Sequence, residues 1–331
     1  MQSRQAEVPS KHQYRAGSLE SEEIMQWKKG NMQTLGMIGR GDFINIKFVH
    51  LTACSFHGLI KCRFTGAGQH VTNVLMKGEE PPPAFAQAMD EIARQAQSQG
   101  TRLWVDAEQQ VFQGAIDRWT INLMRKHNTG GEVLVYNTIQ AYLKESRNNL
   151  MRHLREAKSE GFSVGIKLVR GAYIGSEVRT CICDTKADTD HSYNSIVKDL
   201  LTGENLGMAK EDLPRVALFL AGHNAQSIET AAQLMANLSS SGKLQVVPEF
   251  GQLLGMADDV SCNLLQKAEE LRSKGLATPW LFKALPWGSV QECMRYLVRR
   301  VVENQGAAER MRDAMPLLFG ELRRRAMNAF R

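Results

Sequence analysis

The stretch GIKLVRGAY, residues 165–173, decides the fold. A short apolar run holds Lys167 in its middle and ends on Arg170, a glycine and Tyr173. Runs of this kind are typical of strands that are buried on both faces of a parallel sheet. Six further short apolar runs are predicted as strands, at Phe43–Phe48, Leu103–Asp106, Val133–Asn137, Val216–Ala221, Leu244–Val247 and Trp280–Ala284.

Amphipathic segments separate these strands and predict helices. The predicted helices cover Pro83–Gln99, Gln113–His127, Ile139–Glu160, Ser192–Thr202, Ser227–Leu238, Gly251–Lys274 and Ser289–Asn304. Strand and helix alternate without interruption, which favours a parallel sheet. Repeats of roughly 30–45 residues indicate a TIM-type (β/α)8 barrel, and the chain contains no Gly-rich phosphate turn of a doubly wound sheet.

The strand count is seven and not eight. The missing strand is expected before Phe43, where residues 1–30 form a polar segment. We therefore predict a distorted (β/α)8 barrel that lacks its first strand. The predicted domains are this polar segment, a barrel domain at 31–320 and a basic C-terminal tail at 321–331.

The amino-acid composition excludes several classes of function. The 331 residues include 41 Lys and Arg against 35 Asp and Glu, so the net charge is +6, and the basic residues are scattered. Nucleic-acid binding needs a clustered basic stripe and is not expected. No apolar run reaches the roughly 18–20 residues of a membrane span, and the six cysteines form no C-x-x-C pair. The first twenty residues carry acids, so they give no clear transit peptide.

Polar side chains follow five of the predicted strands. A buried strand gains nothing from an unpaired charge, which costs several kcal/mol (about 3–5) when its partner is absent. Because chemistry in parallel barrels collects at the carboxyl ends of the strands, these residues predict a polar site there. Each residue taken alone is equally well explained as a salt-bridge partner in the barrel mouth. They are Lys47, Asp106, Glu108, Gln140, Lys167, Arg170, Tyr173, His223 and Asn224.

The last predicted helix carries two adjacent arginines. Arg299 and Glu303 are four residues apart and can share a helix face, with Arg300 beside them and Tyr296 one turn earlier. The simpler interpretation is an ordinary i,i+4 ion pair on a helix. The alternative is that the two arginines hold a substrate carboxylate by bidentate contacts.

Five motifs in order resemble the proline dehydrogenase (proline oxidase) family, in its eukaryotic, fungal-like branch. The resemblance covers roughly residues 43–304. The motifs are Asp106-Ala-Glu108, Ile139-Gln-Ala-Tyr142, Lys167-Leu-Val-Arg-Gly-Ala-Tyr173, Gly251-Gln-Leu-Leu-Gly-Met256 and Tyr296-Leu-Val-Arg-Arg-Val-Val-Glu-Asn304.

The resemblance implies a distorted (β/α)8 barrel that binds FAD without a Rossmann fold and without a metal. It implies oxidation of L-proline to Δ1-pyrroline-5-carboxylate, the first step of proline catabolism, by hydride transfer to flavin N5. Electrons then pass to a quinone. It also implies a mitochondrial location with a possible peripheral contact to the inner membrane.

The resemblance assigns roles to particular residues. The carboxylate of the substrate would be held by Lys47, Arg299 and Arg300, with Glu303 orienting this cluster. The substrate ring would be enclosed by Tyr173, Leu253 and Tyr296, with Asp106 over the pocket. The residues implied to bind the cofactor are Gln140, Lys167, Val169, Gly171, Ala172, His223, Asn224 and Arg300.

The chain departs from the family pattern in three places. The first strand is missing, and residues 49–64 interrupt the motif that carries Lys47, as a real loop or an unspliced intron. Ala284 stands where the family commonly has tyrosine, and relatives that prefer 4-hydroxyproline have a smaller residue there. Hydroxyproline therefore remains an alternative substrate. An inactive truncated paralogue and a Schiff-base aldolase that uses Lys167 are the competing interpretations of the chain.

Overall fold

The computed structural model describes residues 11–46 and 66–291, together with residues 293, 294, 297, 298, 319 and 323; for residues 11–20 it describes the backbone alone. Eight α-helices are found in these ranges: α1 (Lys11–Leu35), α2 (Gln69–Lys77), α3 (Pro83–Gln99), α4 (Gln110–His127), α5 (Ser146–Glu160), α6 (Lys186–Thr202), α7 (Ala225–Ser240) and α8 (Asp258–Ser273).

Seven parallel strands form one sheet in the described part of the chain. They are β1 (Phe43–Ile46), β2 (Arg102–Val105), β3 (Val135–Gln140), β4 (Val164–Val169), β5 (Val216–Ala221), β6 (Pro248–Leu253) and β7 (Leu281–Ala284). Each strand pairs with the next in chain order. The sheet curls until the rings of Phe43 in β1 and Phe282 in β7 lie 5.3 Å apart between their centroids. Within the described residues the predicted seven-strand barrel is confirmed, and α1 occupies the region in which the missing strand was expected.

Some predicted boundaries are wrong. The sixth strand is Pro248–Leu253, whereas the apolar run Leu244–Val247 precedes it. The helix predicted from Gly251 begins only at Asp258, and the helix predicted from Ile139 begins at Ser146. The sixth strand therefore ends on Leu253, which places this side chain at the carboxyl end of the sheet.

Aromatic rings fill the amino-terminal half of the barrel interior. Phe43, Trp104 and Phe219 lie 4.7–5.0 Å apart between centroids, and Tyr136 and Phe282 complete the cluster. Such pairs contribute roughly 0.5–1.5 kcal/mol each beyond their buried area. Because the cluster fills this end, the interior is a packed core and not a pore.

Two features allow the aromatic cluster to pack. An added Cβ at Gly165 in β4 or at Gly251 in β6 would overlap with the Tyr136 ring and the Phe219 ring, respectively. Below the rings, Arg102 Nη1 lies 2.7 Å from Glu249 Oε2 across the barrel. Burial raises the pKa of the Glu249 carboxyl, and Arg102 opposes that shift.

The outer faces of the strands pack against the helices. Leu103, Val105, Ile166 and Leu168 are fully buried in this layer. Helix α1 packs on α3, where the rings of Trp27 and Phe85 lie 5.2 Å apart. Among the described residues no helix combines the length and apolarity of a membrane span. The predicted domain boundaries remain predictions, and most of the tail and all of residues 49–64 lie outside the described ranges.

Candidate functional site

Polar side chains meet at the carboxyl ends of the first strands. Alternation along β1 puts Asn45 on the same interior face as Phe43, and alternation along β2 puts Asp106 on the same face as Trp104. In β4, Lys167 pairs in register with Thr138 of β3 and Phe219 of β5. The site is therefore built directly on top of the aromatic cluster.

Lys167 and Asp106 form an ion pair inside the barrel mouth. The Lys167 Nζ lies 2.7 Å from Asp106 Oδ1, and the other carboxylate oxygen accepts a hydrogen bond from Asn45 Nδ2 at 3.0 Å. The Lys167 ammonium also lies 4.3 Å from the centroid of the Trp104 ring, as in a cation–π contact. Lys167 is 8% exposed, so its charge is held by these contacts and not by bulk water.

A second group of contacts joins β3 to the loop after β4. The Tyr173 hydroxyl donates to the Glu108 carboxylate. The Gln140 side chain donates to the Glu108 carbonyl oxygen at 3.1 Å and accepts from the Ala172 N–H at 3.1 Å. Gly171 has φ of 146°, and an added Cβ there would overlap with the Tyr142 ring. A glycine is therefore required at this turn by the protein itself.

His223 and Asn224 follow β5 and have structural partners. His223 Nε2 accepts a hydrogen bond from the Leu253 N–H at 3.0 Å, so this nitrogen is unprotonated in that contact. The Asn224 side-chain oxygen caps α7 by accepting from the Ser227 N–H at 2.9 Å. Beyond them, Arg170 pairs with Asp190, and desolvation lowers the pKa of the Arg170 guanidinium.

The structure brings together a majority of the predicted site residues that it describes. Asp106 forms an ion pair with Lys167, the Gln140 side chain accepts a hydrogen bond from the Ala172 N–H, and the Leu253 N–H donates to His223. Val169 pairs in register with Gln140, and Gly171 and Tyr173 follow Val169 in the chain. Five predicted residues, Lys47, Tyr296, Arg299, Arg300 and Glu303, lie outside the described residues, so their roles remain predictions.

Sequence reasoning missed two residues of this site. Asn45 and Trp104 both contact the Lys167–Asp106 pair. The signal was present, because period-two alternation from Asp106 identifies Trp104 as facing the same side. The polar residue Asn45 inside an apolar strand was a second signal that reasoning about strand ends did not use.

The fold and the site together define a class of protein. Parallel strands surrounded by helices, an interior filled at one end and polar side chains gathered at the carboxyl ends are the features of a TIM-type barrel protein with its site in the barrel mouth.

The family follows from comparison with known sequences. The family model described as proline dehydrogenase matches residues 4–313, and the chain belongs to this family. It is 32% identical over 255 residues to the probable mitochondrial proline dehydrogenase of Schizosaccharomyces pombe, covering 73% of this chain and 50% of that protein. It is 34% identical over 251 residues to the hydroxyproline dehydrogenase of Xenopus laevis, covering 72% of this chain and 50% of that protein.

Comparison with solved structures confirms the fold. A bifunctional proline utilization A (PutA) protein superposes with a TM-score of 0.61 at 18% identity, covering 86% of this chain and 27% of that chain. The chain spans between 37% and 50% of the length of the curated relatives it matches. The predicted resemblance to the eukaryotic proline dehydrogenases, with a fungal relative among them, is confirmed.

Proposed function

We propose that the protein oxidises L-proline to Δ1-pyrroline-5-carboxylate with FAD as cofactor, and that a quinone accepts the electrons. The Lys167–Asp106 pair, held at the barrel mouth above Trp104, carries this proposal. A small zwitterion and a flat cofactor both require charged groups fixed in a water-poor cavity, and this pair supplies such groups.

The residues present fit a flavin. The buried Trp104 Nε1 has no hydrogen-bond partner among the described residues, so the aromatic floor beneath the mouth contains an unsatisfied donor. An added Cβ at Gly222 would meet nothing within 4 Å, which leaves open space just before the amino terminus of α7. The first turn of a helix favours anions such as the phosphates of a dinucleotide. When bound, FAD would accept the hydride from the substrate.

The proposed cofactor contacts are those that the family motifs imply. Lys167 would place a cation beside the flavin and would favour negative charge on it. Gln140 would form a hydrogen bond with the edge of the flavin ring, and the backbone of Gly171 and Ala172 would lie close to the ring. Val169, His223, Asn224 and Arg300 are proposed to complete the contacts, as the family motif implies.

The substrate would lie on the other side of the mouth. Tyr173 and Leu253 would enclose the proline ring, and Asp106 would lie over the pocket. Lys47, Arg299 and Arg300 would bind the carboxylate, while Tyr296 and Glu303 would complete the wall and orient the arginines. The aromatic cluster closes the floor of the mouth and excludes water from below. The electrostatic interactions of these charged groups with the substrate would therefore be stronger.

Hydroxyproline is the second candidate substrate. Ala284 of β7 pairs in register with Leu253 of β6, so both positions border the same part of the pocket wall. Alanine leaves room for a ring hydroxyl but offers it no hydrogen bond, which favours proline as the first choice. Relatives of this chain are themselves named hydroxyproline dehydrogenases.

The proposed location is the mitochondrion, with a possible peripheral contact to the inner membrane where the quinone is found. This proposal rests on relatives that are named mitochondrial proline dehydrogenases.

A dye-reduction assay on FAD-loaded protein tests the function. We expect faster turnover with L-proline than with trans-4-hydroxy-L-proline, and no turnover with either would contradict the proposal. Arg300→Met should remove turnover with proline while flavin absorbance largely remains. Arg94→Met, at an exposed arginine on α3, is the matched control and should behave as wild type. Equal turnover in Arg300→Met and wild type would contradict the role of Arg300.

A further inference from the structure

We propose that Glu108 is a positioning residue that holds Tyr173 and Gln140 in place for substrate and cofactor. This inference rests on the proposed function and adds a residue to its machinery. Glu108 lies two residues beyond Asp106, just after β2, and it is only 2% exposed. Its side chain and its backbone contact three separate elements of the barrel.

The carboxylate of Glu108 fixes the ring of Tyr173. The Tyr173 hydroxyl donates to Glu108 Oε2, and this bond joins residues 65 positions apart in the chain. Tyr173 itself is partly exposed and lies on the loop after β4. A hydrogen bond to a charged acceptor is stronger than a neutral one, so this contact restricts where the Tyr173 ring can lie.

The backbone of Glu108 fixes the side chain of Gln140. The carbonyl oxygen of Glu108 accepts from Gln140 Nε2 at 3.1 Å, and Gln140 Oε1 accepts from the Ala172 N–H at 3.1 Å. A carbonyl can only accept and a backbone N–H can only donate. The two contacts therefore leave one orientation for the Gln140 amide.

Side chains of helix α4 fix the backbone of Glu108 by hydrogen bonds. The Glu108 N–H donates to Gln113 Oε1 at 2.8 Å, and Gln113 Nε2 donates to Asp117 Oδ1 at 2.7 Å. The same carboxylate oxygen accepts from Asn137 Nδ2 of β3 at 2.8 Å. These hydrogen bonds connect the turn after β2 to helix α4 and strand β3. The position of Glu108 is therefore fixed, and Glu108 can in turn fix the positions of Tyr173 and Gln140.

Burial of a carboxylate in this position has no packing advantage, because an apolar side chain of similar size would avoid the desolvation penalty. The arrangement is explained if Glu108 is needed for orientation. In that case the Glu108 carboxylate acts through Tyr173 on the substrate ring and on the neighbouring Ala172, whereas the contact with Gln140 is made by the main chain and would remain in any variant at position 108.

Hydrogen exchange on flavin-free protein tests the contacts without any activity. The variants are Glu108→Ala, Glu108→Gln and Tyr173→Phe, and Glu132→Ala at an exposed glutamate is the matched control. We expect the Ala172 amide to exchange about tenfold faster in Glu108→Ala and in Tyr173→Phe, because loss of a hydrogen bond to a charged group shifts an equilibrium by about that factor. Glu108→Gln, which keeps an acceptor oxygen, should lie close to wild type.

A double variant separates positioning from general destabilisation. Glu108→Ala combined with Tyr173→Phe should exchange no faster than either single variant, because both remove the same bond. Unchanged exchange at Ala172 in Glu108→Ala, or additive effects in the double variant, would overturn the proposal. Should Glu108→Ala fail to fold, Tyr173→Phe still removes the bond from its other end, and exchange at Ala172 equal to wild type in that variant would overturn the proposal.

Binding and kinetics supply the second readout. Glu108→Ala should bind FAD about tenfold more weakly in a flavin-fluorescence titration and should raise the KM for proline more than it lowers kcat. Glu108→Gln should restore both. If wild-type protein reduces no dye with proline, the proposed function fails while exchange and FAD binding still report on Glu108. If wild type is active and Glu108→Ala matches it in all readouts, the inference about Glu108 fails alone.

Discussion

The ion pair of the barrel mouth gives a prediction about stability. Three variants form a double-mutant cycle: Lys167→Met, Asp106→Asn and the two combined. Lys167→Met removes the cation while the carboxylate stays inside the barrel. Asp106→Asn removes the carboxylate charge that faces the ammonium above Trp104. The combined variant removes both charges at once.

The structure sets the size of the effect. The Lys167 Nζ to Asp106 Oδ1 distance is 2.7 Å, and the two side chains are 11% and 15% exposed. At an effective dielectric constant of about 20, charges at this distance attract by about 6 kcal/mol. Desolvation offsets a large part of that attraction. We expect each single variant to lower the free energy of unfolding by about 3 kcal/mol and the combined variant to cost about 2 kcal/mol less than the sum.

Urea unfolding of flavin-free protein at neutral pH measures the cycle. The matched control is the pair Lys158–Asp212, which has a similar distance of 2.8 Å but side chains that are 49% and 58% exposed. Its coupling should be below about 1 kcal/mol, because solvent screens exposed pairs. Single effects at Lys167 and Asp106 that add within about 0.5 kcal/mol would refute the reasoning that burial couples them.

Two further predictions concern the barrel interior. Gly165→Ala should lower the free energy of unfolding by about 3 kcal/mol, because the added Cβ would overlap with the Val135 carbonyl oxygen and the Tyr136 ring. Gly114 lies inside α4, and an added Cβ there has nothing within 4 Å. Gly114→Ala should therefore raise the free energy of unfolding by roughly 0.5–1 kcal/mol. Equal urea midpoints for the two variants would contradict the packing argument. Burial raises the pKa of Tyr136 from 10.0 to about 12, so the phenol ionises earlier in the unfolded chain and the free energy of unfolding should fall as the pH rises between these values. Tyr136→Phe should reduce that fall, and its absorbance titration at alkaline pH should match wild type for as long as the protein stays folded. A loss of titrating absorbance near the ordinary pKa of tyrosine would show that Tyr136 is not buried.

The alternation of strands and helices could be predicted because it depends on local pattern. Strands buried on both faces need short apolar runs, and amphipathic helices repeat at their own period. The same logic located Asp106 and Lys167, because a charge inside an apolar run or at its end needs a partner or a function. The predicted boundary of the sixth strand failed, because Pro248 and Glu249 resemble the end of a strand and not its beginning.

The sequence did not show which residues that are distant in the chain contact one another in the fold. Glu249 lies in a strand because its main chain pairs with Phe219 of β5, and its largely buried carboxylate has a partner in Arg102, 147 positions earlier in the chain. Glu108 was identified as a polar residue at a strand end, but its partner Tyr173 lies 65 positions later. The sequence by itself determined the order of elements and the identity of the charged strand ends, since these follow from hydrophobic burial along the chain. Only the tertiary structure decided which charged group meets which, because curling of the sheet sets the distances across the barrel mouth.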